Sequence, residues 1–117
     1  LKELEATNFL GAVYESWIFS EIVKASDYES LSLDITTWRT EDGSEIDLIL
    51  SKGIINVPIE IKFKREITKR DVAALKSWLK TYDDTSPGAY AIYPGEDIKQ
   101  LDKKIWALPD WLVLATG

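Results

Sequence analysis

From Trp38 to Arg65 the chain alternates apolar and charged residues across two glycine turns, and no other stretch constrains the fold as tightly. Period two is the mark of strands, whose successive side chains point to opposite faces. Glu41-Asp42-Gly43-Ser44 carries the Asp-Gly hairpin signal, and Lys52-Gly53 supplies a second turn. The β-branched run ending at Trp38 reads as a first strand, Glu45 to Leu50 as a second and Ile54 to Phe63 as a third. A meander of three strands is the frame to which the rest of the chain attaches.

Before it, residues 2–25 read as a helix, with Phe9, Leu10, Val13, Tyr14, Trp17, Ile18 and Ile22 as its apolar stripe. Ser26 and Asp27 end that pattern. After the meander, Thr68 is set to cap a helix from Lys69 to about Tyr82, buried through Val72, Leu75, Trp78 and Leu79. Ala89 to Tyr93 reads as a short strand covered on both faces. Glu96 to Leu101 reads as a helical turn, Lys103 to Ala107 as a final strand, and Pro109 starts a closing helical turn through Trp111 and Leu114. The order α-β-β-β-α-β, with a short tail, predicts one α/β domain over residues 1–117. Its mixed β-sheet is flanked by helices.

Composition removes whole classes of chemistry. The 117 residues contain no cysteine and no histidine, which excludes disulfides, thiol nucleophiles, histidine general bases and the common zinc ligands. Serine and threonine have no histidine partner to activate them. Carboxylates, lysine and a hard metal remain. The longest apolar run, near the C-terminus, contains Pro109 and Asp110 and is too short to span a membrane. A cytoplasmic origin is the expectation. The start at Leu1 suggests a piece of a longer protein.

Net charge is −6, an unfavourable balance for nucleic-acid binding. Yet residues 62–80 hold seven basic side chains against Glu66 and Asp71. That strip reads either as a phosphate-tracking surface, with Lys64, Lys69 and Lys76 as nucleic-acid contacts, or as a solvated helix face. Arg39 likewise reads as a phosphate contact or as the partner of Glu41 or Glu45.

An acid-x-Lys triplet is weak by itself: composition alone gives roughly two in such a chain, and three occur. Asp97-Ile98-Lys99 and Asp102-Lys103-Lys104 lie in polar surroundings. Glu60-Ile61-Lys62 lies in an apolar strand, and period two puts Glu60, Lys62 and Lys64 together on the face opposite Ile59, Ile61 and Phe63. Charges there are costly to bury unpaired, so that face borders a cleft or the strand ends. In the preceding strand, Ile46, Leu48 and Leu50 are expected on one side, and Glu45, Asp47 and Ile49 on the other. Antiparallel pairing brings Asp47 toward Glu60. Two adjacent carboxylates make a site for Mg²⁺ or Mn²⁺, and a lysine beside them orients water and stabilises developing phosphorane charge. Glu15, at the edge of the helical stripe with Gly11 one turn earlier, reads as a rim residue or as a further member of this set.

These pieces resemble the PD-(D/E)xK, or restriction-endonuclease-like, nuclease superfamily. Within it the chain is similar to the domain of unknown function that closes a family of prokaryotic AAA-type P-loop ATPases. The matching segments are Gly11-Ala12-Val13-Tyr14-Glu15, the run from Trp38 to Asp47, Pro58-Ile59-Glu60-Ile61-Lys62 and the terminal Ala107 to Leu112. The resemblance implies a nuclease core acting on DNA. Asp47 and Glu60 would bind Mg²⁺ or Mn²⁺, Lys62 would be the catalytic lysine and Glu15 would help. It also implies a P-loop ATPase domain in the parent chain. Trp106, Trp111, Leu112 and Leu114 read as core packing, or as a docking surface for that ATPase or for a second copy in a homodimer. Tyr90 and Tyr93 read as core.

Overall fold

The computed structural model describes residues 2–28, 33–39 and 43–116. Helix α1 (Lys2–Tyr28) leads into β1 (Asp34–Arg39), β2 (Glu45–Lys52) and β3 (Ile55–Ile61). A 3₁₀ turn (Lys69–Val72) runs into α2 (Ala73–Tyr82), followed by β4 (Ala89–Tyr93), β5 (Lys99–Asp102), β6 (Ile105–Pro109) and α3 (Asp110–Thr116). The six strands form one sheet in the order β1-β2-β3-β4-β6-β5. β1, β2 and β3 pair antiparallel, β3 and β4 parallel, β4 and β6 parallel, and β5 and β6 antiparallel. The mixed sheet flanked by helices is the expected architecture.

Two apolar layers hold the sheet. On one face Ile46 and Ile49 of β2 and Ala89 and Ala91 of β4 pack with Val72, Leu75, Trp78 and Leu79. All four stripe positions expected of α2 are therefore buried. The alanines leave room for the indole of Trp78. On the other face Leu48, Ile59, Ile61 and Ile92 pack with Tyr14, Ile18 and Ile22 of α1, with Val113 and Leu114 of α3 against them. Leu75, with no exposed surface, stabilises the fold by about 1.5–3 kcal/mol through burial alone. Tyr93 is buried, Tyr90 packs against the α1 layer, and Trp111 is half-exposed.

Four expectations change. Helix α1 reaches Tyr28, past Ser26, whose hydroxyl donates to the Val23 carbonyl and so fits within the helix. Its apolar stripe is only half used: Phe9, Leu10, Val13 and Trp17 are exposed, because the burial of α1 against the sheet runs through Tyr14, Ile18 and Ile22. The expected helical turn at Glu96 to Leu101 is instead the edge strand β5 from Lys99, joined to β6 by a tight turn in which Lys104 takes φ 64. Tertiary pairing overrides its polar composition. The final strand is accordingly Ile105–Pro109.

The fourth change bears on the site. Between Thr36↔Ile49 and Trp38↔Ile46 the register of β1 and β2 shifts by one residue, so Asp47 and Leu48 together oppose Thr37. This is a β-bulge. Strict alternation would put Ile46 and Leu48 on one face; the bulge sends Ile46 to the α2 layer and Leu48 to the α1 layer. Thr40, Glu41 and Asp42 of the β1–β2 hairpin lie outside the described residues, as do residues 29–32, of which Leu31 and Ser32 open the expected first strand. Among the described residues, no helix is long and apolar enough to cross a membrane.

Candidate functional site

Strand β3 ends in the middle of the sheet. Its ladder with β4 continues one step further, since the Lys62 N–H donates to the Ile92 carbonyl at 2.8 Å. The neighbouring N–H of Ile61 therefore points toward β2. The regular β2–β3 register stops at Leu48↔Ile59, and the bulge leaves that amide without a ladder partner. Asp47 fills the place: its Oδ2 accepts the Ile61 N–H at 2.6 Å. An unpaired buried amide costs roughly 1–3 kcal/mol, so this bond both satisfies the sheet and fixes the acid.

Glu60 faces away from Ile59 and Ile61 as alternation predicts, and is 4% exposed. Its Oε1 lies 3.7 Å from the Lys62 ammonium, whereas its Oε2 is buried with no hydrogen-bond partner. Burial pushes its carboxyl up to about 7, Lys62 offsets part of that rise, and Asp47 adds to it. Asp47 is also raised, chiefly by burial, against the pull of the Ile61 bond and Lys62. Glu15 is raised by burial and then by Asp47, with Lys62 opposing. All three acids thus hold their protons more tightly than free carboxyls do.

Glu15, Asp47, Glu60 and Lys62 line one cleft of about 450 Å³, together with Phe63 and Asp71. The four side chains expected to form a site are therefore neighbours. Glu15 reaches the cleft from the α1 layer, Asp71 from the α2 side, and Asp47 at the bulge between them. Among the described residues, no group of three or more acids gathers at metal-ligand spacing. The carboxylates of Glu15, Asp47, Glu60 and Asp71 are among the hard-cation donors that border the cleft.

Asp71 was legible only as an acid in a basic strip. The Thr68-Lys69-Arg70-Asp71 spacing at a helix start is that of a capping box, and the Asp71 carboxylate accepts the Thr68 N–H at 2.9 Å. It also takes the Lys64 ammonium at 2.7 Å. Desolvation would raise its pKa, but the bonds from Lys64 and Thr68 outweigh it and hold the carboxyl below the usual range. Phe63, read from sequence as an apolar flank, lies on the cleft wall and is 41% exposed.

The other expected nucleic-acid contacts are all ion-paired. Lys69 and Lys76 each lie 3.5 Å from Oδ2 of Asp102, which joins α2 and its leading turn to β5. Arg39 pairs with Glu45, one of its two expected partners; Glu41 lies outside the described residues. A separate apolar hollow of about 480 Å³, bordered by Ile22, Leu50, Leu108 and Val113, contains no carboxylate or amine and offers no comparable chemistry.

No curated protein and no solved structure matches the chain. The model of one family, described as "Domain of unknown function (DUF4143)", matches residues 10–112. The chain belongs to that family.

Proposed function

We propose that this domain is a divalent-cation-dependent phosphodiesterase acting on DNA. The observation that carries the reading is Glu60, a buried carboxylate with one oxygen unpartnered, beside Asp47 in a water-accessible cleft. Two desolvated acids that repel each other are stabilised together by a hard cation. Mg²⁺ commonly binds through one or two carboxylates and keeps several waters. Asp47 and Glu60 would hold Mg²⁺ or Mn²⁺, which when bound supplies Lewis-acid polarisation of the phosphate and a more acidic water.

The remaining work falls to this chain's own groups. The Lys62 ammonium orients the attacking water and stabilises negative charge growing on the phosphoryl oxygens. Glu15 supports by accepting a hydrogen bond from that water. The Ile61 N–H holds Asp47 in one orientation throughout. Pre-orientation of this kind lowers the barrier without any motion at the moment of reaction.

A second reading is a non-catalytic module that binds nucleic acid or a protein partner for a P-loop ATPase. One observation favours its protein-binding form: Phe9, Leu10, Val13 and Trp17 leave exposed apolar surface on α1. The decisive experiment is cleavage of duplex, single-stranded and branched DNA with Mg²⁺ and with Mn²⁺, comparing wild type with Asp47→Ala and Lys62→Ala. The phosphodiesterase reading expects cleavage that both substitutions abolish. Cleavage indifferent to both refutes the site, and no cleavage of any substrate selects the module.

A further inference from the structure

We infer that the substrate strand is unpaired at the reacting phosphate, with a nucleobase stacked on Phe63. The inference rests on reading the cleft as a phosphodiester site. Phe63 follows Lys62 directly and shares the cleft with Asp47 and Glu60, so an apolar ring stands beside the place where a phosphate would sit. Its ring is backed by Tyr14, with centroids 5.0 Å apart and planes inclined at 39°. Tyr14 is itself pinned, because its hydroxyl donates to Asp110 at 3.0 Å. Tyr14 also meets Trp17 edge-on at 6.2 Å, and Trp17 is half-exposed. Two exposed aromatic rings thus share one rigid support, and a base can stack there with little ordering cost.

Electrostatics point the same way. Duplex DNA is gripped chiefly through its phosphates by free lysines and arginines. Here Lys64, Lys69, Lys76 and Arg39 each have an acidic partner in the fold, and the chain carries −6 overall. A phosphate contact at any of these must first disrupt an ion pair. Stacking draws on the base face instead, which a duplex hides and a single strand, flap or frayed end exposes. Four of the basic side chains that a duplex would need are thus already paired, while the exposed rings offer an unpaired base a stacking face.

The test is fluorescence anisotropy with a labelled single strand and a duplex of equal length, in Ca²⁺ to balance the acids. Wild type, Phe63→Leu and Phe63→Tyr are compared; both substitutions keep an apolar contact for Tyr14, and circular dichroism confirms folding. Wild type is expected to bind the single strand about tenfold more tightly than the duplex. Phe63→Leu should lose about tenfold on the single strand and nothing on the duplex, whereas Phe63→Tyr stays within about twofold of wild type. Equal affinity for both forms, wild-type affinity in Phe63→Leu, or no binding to either form overturns the inference. Cleavage measured alongside separates the two ideas. Asp47-dependent cleavage without single-strand preference removes the stacking and leaves the phosphodiesterase. Phe63-dependent single-strand binding without cleavage does the reverse.

Discussion

Replacing Glu60 by glutamine removes a carboxylate that is 4% exposed and lacks a partner on Oε2. Burial raises that carboxyl from 4.5 to about 7. Between those values the folded chain keeps a proton that the unfolded chain releases. Stability therefore falls as pH rises through that window, and levels off above about 7. At roughly 1.4 kcal/mol per pH unit the full loss is about 3 kcal/mol. Glutamine has no proton to lose, so Glu60→Gln should match wild type near pH 5 and exceed it by up to about 3 kcal/mol at pH 8. Urea unfolding followed by tryptophan fluorescence, with a chelator present, reads this directly. For a slope of about 1.5 kcal/mol per molar urea, the midpoint gap widens by about 2 M between the two pH values. A gap that stays constant, or a wild type that gains stability on going from pH 5 to pH 8, would refute the argument that an ionised Glu60 is destabilising.

Three further outcomes follow from the same structure. Mg²⁺ or Mn²⁺ should raise the thermal midpoint of wild type more at pH 8 than at pH 5.5, because Glu60, Asp47 and Glu15 all hold protons that compete with a cation. Differential scanning fluorimetry checks it, and Asp47→Asn should abolish most of the shift. Gly53→Ala should cost about 1 kcal/mol in chemical denaturation, since φ is +62 and a Cβ there meets nothing, leaving only backbone strain. Phe9→Ser should change stability by no more than about 0.5 kcal/mol, in contrast to about 2–5 kcal/mol for Leu75→Ala; both are read from urea midpoints.

Much of the site was legible because it obeys alternation. Ile59 and Ile61 enter the α1 layer and Glu60 turns the other way, so the triplet in the apolar strand could be told from its two polar lookalikes. Asp47 was found for an incomplete reason. Its nearness to Glu60 follows from strand pairing, but its orientation comes from a bulge that carries no glycine or proline to announce it. Glu15 could be read as a rim residue because a helix edge beside a sheet end is where such a group reaches a cleft. The edge strand β5 was hidden by its polar sequence, Lys99-Gln100-Leu101-Asp102, since pairing to β6 rather than local preference sets its conformation. The exposed half of the α1 stripe was hidden as well: spacing shows that residues share a face, not whether anything covers it.

The inserted position of Asp47 makes the acid replaceable in the sheet, even though its Oδ2 now holds the Ile61 amide. An in-frame loss of that single codon would let Ile46 slide opposite Glu60 with its side chain still on the α2 face, and Thr37 would face one residue instead of two. The ladder would close, a strand carbonyl would take over the Ile61 amide, and Glu60 would stand without its neighbour. A genetic lineage can therefore lose this carboxylate in one step while keeping, or even improving, the architecture that carries it. The reverse step, one residue inserted into a finished strand, is a correspondingly short route by which a plain sheet acquires a carboxylate aimed at a cleft.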